Sequence, residues 1–136
     1  MQPELQSIHR TEASHINRFR KFALSLPKAV ESSHMGNPDF RLNDRIFATL
    51  SAQATGRGVL KLTLEQQQAF IAEMPTVFQA VQGGWGRKGM TFIALDTDKS
   101  TIEGALTTAY NNVKTKQATQ KTKQDVANKP SRSRLQ

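Results

Sequence analysis

Residues Ile102, Ala105, Leu106, Ala109, Tyr110 and Val113 recur at spacings of 3, 1, 3, 1 and 3. That spacing predicts a helix with a single apolar stripe. A stripe of this kind must lie on another apolar surface, and the rest of the chain supplies mainly short strands to make one. Ser100 and Glu103 have the spacing of a capping box at the start of the helix. Asp96 and Asp98, just before it, suit the positive end of the helix dipole.

The partner surface can be traced from the N-terminal side. Ile16, Phe19, Ala23 and Leu26 form one helical face, with Ser14 as the expected N-cap and Pro27 as the stop. Val30 to Met35 reads as a short strand, and Gly36-Asn37-Pro38 as a turn. Asp39 to Leu42 and Arg45 to Leu50 read as a hairpin closed by Asn43-Asp44. Phe40 and Leu42 fall on one face and Arg41 on the other. A further strand runs from Val59 to Leu62, and Thr63 with Gln66 forms a capping box. The helix that follows offers Leu64, Phe70, Ile71 and Met74, breaks at Pro75, and is expected to resume as a turn around Val77 and Phe78. Thr91 to Leu95 is a strand. The expected architecture is α+β, a two-layer sandwich of one antiparallel sheet with helices packed on it, in the order α-β-β-β-α-β-β-α.

The net charge of +8 is unevenly distributed. Residues 114–136 hold Lys114, Lys116, Lys121, Lys123, Lys129, Arg132 and Arg134 against Asp125 alone, a net of +6, which leaves +2 for residues 1–113. The same C-terminal stretch has no apolar periodicity and helps keep the apolar content at 37%, below the usual ~45–50%. Three parts are therefore expected: a loose polar leader over 1–13, one domain over 14–113, and a basic, disordered tail over 114–136. With no cysteine, disulfides, thiolate catalysis and cysteine-ligated metals are excluded. No apolar run approaches a membrane span, and the first twenty residues lack the apolar core of a signal peptide, so a cytoplasmic location is expected.

Gly84-Trp85-Gly86-Arg87-Lys88-Gly89 spells G-x-G-x-x-G. A dinucleotide-binding loop must follow a strand and open a helix inside a parallel βαβ unit, whereas this segment leads into a strand. It reads instead as a glycine-rich projection. Trp85 either stacks on a nucleic acid, with Arg87 and Lys88 meeting phosphates, or folds back into the core. Arg41, Arg45, Arg57 and Lys61 could form a basic stripe on the solvent side of the sheet, or be the scattered cations of an ordinary solvated face. Ser33, His34 and Asp39 are the nearest thing to a catalytic group, but they come without a nucleophile elbow or an oxyanion hole. His34 and Asp39 alone are too few to hold a metal. No catalytic residue, metal or cofactor is expected.

Several ordered fragments carry a family resemblance. They are Phe22-Ala23-Leu24-Ser25-Leu26-Pro27, Glu31-Ser32-Ser33-His34-Met35-Gly36, Pro38-Asp39-Phe40-Arg41-Leu42 and Arg45-Ile46-Phe47-Ala48-Thr49-Leu50. Val59-Leu60-Lys61-Leu62-Thr63, Glu65-Gln66-Gln67 and Gly83-Gly84-Trp85-Gly86-Arg87-Lys88-Gly89 follow them. Together, across about residues 16–113, the chain resembles the MmcQ/YjbR-like family of bacterial proteins. Close relatives often have a tryptophan after the last glycine of the loop, where this chain has Met90. The resemblance implies a fold similar to type III secretion chaperones and a double-wing, non-enzymatic mode of DNA binding. The wings would be the Asp39–Leu50 hairpin and the loop through Trp85. On this reading Arg41, Arg45, Arg57, Lys61, Trp85, Arg87 and Lys88 contact DNA, and the tail adds non-specific attraction. The alternative is a protein- or peptide-binding module of secretion-chaperone type, acting as a homodimer or with a protein partner.

Overall fold

The computed structural model describes residues 3–127, with side-chain surroundings from Glu12 to Gln117. The elements are α1 (Pro3–Ser25), β1 (Val30–His34), β2 (Asn37–Leu42), β3 (Arg45–Thr49), a 3-10 turn (Gln53–Thr55), β4 (Arg57–Lys61) and α2 (Leu64–Glu73). Then come β5 (Phe78–Ala80), α3 (Gly84–Arg87), β6 (Met90–Ala94) and α4 (Lys99–Ala127). The six strands form one antiparallel sheet in the order β1-β2-β3-β4-β6-β5. The α+β expectation holds, with a different count: four strands precede α2, and α3 separates β5 from β6.

The helices share one face of the sheet. Ile102, Ala105, Leu106, Ala109, Tyr110 and Val113 of α4 are all buried, together with Phe19 and Ala23 of α1 and Phe40, Phe47, Leu60 and Ile93 of the strands. Burying side chains such as Ile102 and Leu106 contributes roughly 1.5–3 kcal/mol each. Gly58 lies directly beneath Phe19. A β-carbon there would stand 2.8 Å from the ring, so the helix can approach only because position 58 has none. The Tyr110 hydroxyl donates to the Pro27 carbonyl at 2.7 Å and its ring meets Phe47 edge-on, which ties α4 to the end of α1 and to β3. α2 sits beside α4: Phe70 packs on Phe78, and the Gln66 and Asn112 side-chain amides hydrogen-bond to each other.

Local signals explain the turns. Asn43 and Asp44 both take positive φ, 51° and 68°, in the two-residue loop expected between Leu42 and Arg45. A bulge in the β2–β3 register lets Phe47 and Ala48 both enter the core. The first hairpin turns at Met35-Gly36, one residue earlier than expected. Met35 itself takes φ 53°.

Several expectations are corrected. Ser14 is not a cap, because α1 continues back to Pro3; proline is well suited to a first helical turn, and Glu4, Leu5, Gln6, Glu12 and Ala13 all favour helix. α1 ends at Ser25, one residue short of Leu26. Val77 and Phe78 do not resume the helix: Phe78 opens β5 and pairs with Ile93. Leu64 is exposed rather than buried on α2. The N-cap of α4 is Asp98, whose carboxylate accepts from the Thr101 amide and from the hydroxyls of Ser100 and Thr101, so no Ser100–Glu103 box forms. The stretch expected to be disordered after Lys114 carries α4 on to Ala127, as its Lys, Gln and Ala favour helix once a packed helix leads into it. Residues 128–136 of that tail lie outside the described residues.

Candidate nucleic-acid interface

Strand register sorts the candidate residues by position. Lys61 pairs with Met90 at one end of the β4–β6 ladder and Arg57 with Ala94 at the other. The end marked by Lys61 also holds Leu42 paired with Arg45, the Asn43-Asp44 turn and the loop from Val81 to Gly89. α4 leaves the sheet at the same end: Asn112 donates to the Lys61 carbonyl, and Gln117 donates to the Leu42 carbonyl and accepts from Asn43. One end of the sheet thus gathers Arg45, Lys61, Arg87, Lys88 and the α4 lysines 114 and 116, from four separate segments. Burial, and then the charges of Lys116 and Arg45, lower the Lys61 ammonium pKa below its ordinary value.

The stripe expected along the sheet does not form. Side chains opposite each other across strands share a face, so Arg45 belongs with the buried Leu42, while Arg41 belongs with Ile46 on the opposite face. Arg41 is also committed elsewhere: its Nε and Nη2 donate to the two oxygens of Asp39 at 2.8 and 3.0 Å. Asp39 is only 1% exposed, so this fork stabilises a carboxylate that would otherwise be buried without a counter-charge. It also raises the Arg41 pKa, mainly through that hydrogen bond. Asp39 is therefore a structural acid, and His34, exposed on β1, pairs with Asn37 and not with Asp39. Arg57 stands at the far end of β4, its guanidinium 3.7 Å above the Phe92 ring.

The glycine-rich projection has its own architecture. Gly84 to Arg87 forms one helical turn, α3, where the sequence suggests a loop. Gly86 faces the Val81 carbonyl so closely that a β-carbon would lie 1.7 Å from it. Gly89, at φ 102°, lies against the Leu62 carbonyl in the same way, and its own carbonyl accepts from the Leu62 amide. Pinned at both ends, α3 presents Trp85 outward, 68% exposed, so the tryptophan does not fold back into the core. Arg87 and Lys88 are exposed beside it and in no ion pair among the described residues.

One residue that organises this projection, Gln67, belongs to a fragment of the family resemblance but is given no role by the sequence reading. Gln67 is buried, and its Nε2 lies within hydrogen-bonding distance of the Gly86 carbonyl (3.1 Å), the Met90 carbonyl (3.0 Å) and Thr91 Oγ1 (3.1 Å). It stands three, four and seven residues before Phe70, Ile71 and Met74, on the inward face of α2, which is the sequence signal that separates it from Gln66 and Gln68.

Among the described residues no group of three His, Asp or Glu side chains could hold a metal, and no helix is long and apolar enough to cross a membrane. A family model described as YjbR matches residues 24–112, well over half the chain. A crystal structure of a Deinococcus radiodurans protein with the DUF419 domain is similar in fold, with a TM-score of 0.59 and 17% identity, covering 70% of this chain and 75% of that one. No curated protein matches the chain.

Proposed function

The chain belongs to the YjbR family, and we propose that it binds DNA through the end of the sheet where its cations gather. The observation that carries this reading is the convergence of Arg45, Lys61, Arg87, Lys88, Lys114 and Lys116 beside an outward-facing Trp85. Phosphates favour cations clustered on one surface, and an exposed indole can stack on a base or wedge between base steps. Arg41 and Arg57 stand outside this surface, the first held by Asp39 and the second at the opposite end of the sheet. The basic residues further along the chain would add attraction independent of sequence.

Trp85 is the only tryptophan, so its fluorescence reports on this surface without a label. A random duplex should change the emission saturably. If about five phosphates are neutralised, log affinity should fall with log salt at a slope of about −4 to −5. An Arg87→Ala/Lys88→Ala variant should reduce that slope by roughly 1.8, also in a version ending at Gln117. Binding that vanishes with residues 118–136 and ignores the double variant would be polycation behaviour and would overturn the proposal. No binding near about 0.15 M salt would do the same and shift attention to a peptide partner, for which the fully exposed edge strand β1 is the obvious template.

A further inference from the structure

Gly58, beneath Phe19 of α1, fixes which way β4 faces. Its neighbours on the strand, Arg57, Val59 and Lys61, therefore stand on the face of the sheet away from α1. The register sets Ala94, Phe92 and Met90 of β6 opposite them, and Gln79 of β5 opposite Phe92. Val59 is only 5% exposed, while Phe92 and Met90 are half-buried and present part of their surface to solvent. Arg57 and Lys61 are in no ion pair among the described residues. The carboxylate that the register places on this face, Asp39, is buried and already held by Arg41. The face thus combines an aromatic ring with positive charge that no acid on it offsets.

Arg57 and Phe92 act as one unit. The guanidinium carbon lies 3.7 Å from the ring centroid. Its Nε donates to Thr55 Oγ1 at 3.2 Å and its Nη1 to Gln79 Oε1 at 3.3 Å. Guanidinium N–H bonds lie in the plane of the group, so these two contacts hold its edge and not its faces. A planar ligand can stack on that plane, which the phenyl ring supports from beneath. Arg57 and Lys61 are four residues apart on one strand, about 13 Å, with Phe92 opposite the residue midway between them.

A stacking plane beside uncompensated positive charge matches a polyanion that carries flat, exposed rings. A duplex satisfies the charge but keeps the faces of its bases inside its own stack, whereas a single strand offers both. We propose that this face of the sheet binds single-stranded DNA. Bases stack on the Arg57–Phe92 unit, and the phosphates run on to Lys61 and the cations gathered at that end. The Gln79 amide, opposite Phe92, stands where a stacked base presents its edge. This inference rests on the reading that the Lys61 end binds DNA, and its test separates the two.

The test is fluorescence anisotropy with the full chain and three end-labelled probes. They are an oligothymidylate of about 12 nucleotides, an abasic strand with the same phosphates, and a random duplex of equal length. The abasic strand should bind the unaltered protein about five- to a hundredfold more weakly than the intact strand, the range for one lost stack. Phe92→Leu keeps an apolar side chain and removes the ring; Arg57→Lys keeps the charge and removes the plane. Each should weaken the intact strand to a similar extent, leave its salt slope unchanged because no phosphate contact is lost, and leave the duplex affinity unchanged. An intact strand that binds no more tightly than the abasic one, or that ignores both substitutions, overturns the inference and leaves the duplex reading standing. Binding of the duplex alone does the same. If neither strand nor duplex binds, the DNA reading falls and this inference falls with it.

Discussion

Gln67→Leu tests whether one buried amide holds the Trp85 projection in place. The substitution keeps the approximate side-chain volume and removes the donor. An amide –NH2 can donate two hydrogen bonds, and three acceptors stand around Nε2, so about two bonds are lost. The carbonyls are not wholly stranded: Gly86 still accepts from the Gly89 amide and Met90 from the Val81 amide, while the Thr91 hydroxyl still donates to Gly89. The cost therefore follows the net value of a hydrogen bond, about 1 kcal/mol each, and not the larger penalty of an orphaned group, giving about 2 kcal/mol in all. At ~2.1 cal/mol/K per residue, a chain of 136 residues has an unfolding entropy near 0.29 kcal/mol/K, so Tm should fall by about 7 °C. Scanning calorimetry measures this directly, with Gln68→Leu, on the exposed face, as a control expected to shift Tm by less than about 2 °C. If Gln67→Leu shifts Tm no more than the control, the amide is not holding the projection and the argument fails.

Other consequences can be checked in parallel. Met35 occupies φ 53° in an exposed turn, so Met35→Asn should raise stability by about 0.5–1 kcal/mol in urea denaturation, because asparagine tolerates that conformation and pairs well with Gly36. Arg41→Gln should lower Tm by leaving Asp39 buried without its partner, and adding Asp39→Asn should recover most of the loss, measured as a double-mutant cycle. Asp98 is held well below the usual carboxylate range, first by the Ser100 hydroxyl and then by Thr101. Its stabilising contribution is therefore complete above the ordinary carboxylate value, near pH 4, and is lost as pH falls through the depressed folded-state value; Asp98→Asn should flatten that part of the pH–stability curve. Lys61, whose pKa is lowered, should lose its charge earlier than an ordinary lysine as pH rises. DNA affinity should then weaken on the alkaline side, and Lys61→Arg should remove that pH dependence.

Much of the fold was legible because periodicity is a local signal. The α4 stripe, the Thr63–Gln66 capping box and the Asn43-Asp44 turn each depend on a few neighbouring residues, and each appears where expected. The errors occur where distant contacts decide. β5 has three residues and becomes a strand because β6 is there to pair with it, which no window around Val77 can show. The cap of α4 falls at Asp98 because its carboxylate meets three donors at once, whereas the spacing on paper points to a Ser100–Glu103 box and leaves Asp98 only a place at the helix dipole. The extents of α1 and α4 were underestimated because apolar spacing detects only the packed part of a helix, and both continue beyond it in polar residues that favour helix.

The candidate interface was legible in its residue types and not in its arrangement. The sequence reading groups Arg41, Arg45, Arg57 and Lys61 on the solvent side of the sheet; the strand register leaves Arg41, Arg57 and Lys61 on one face and puts Arg45 with Leu42 on the other. Alternation says nothing about which end of the sheet a residue occupies, however, nor that a buried Asp39 already engages Arg41. The connectivity brings the β2–β3 turn, the α3 projection and the departing α4 to a common end, through antiparallel pairings between residues as far apart as Lys61 and Met90. The same pairings carry Arg57 to the other end, against Phe92. Cations of one type in one sequence thus end in three different settings: an internal counter-ion, a surface cluster, and a charge fixed by neutral groups. Only the second is the environment that phosphates favour, so net charge alone would have overstated the proposed DNA surface by counting all three.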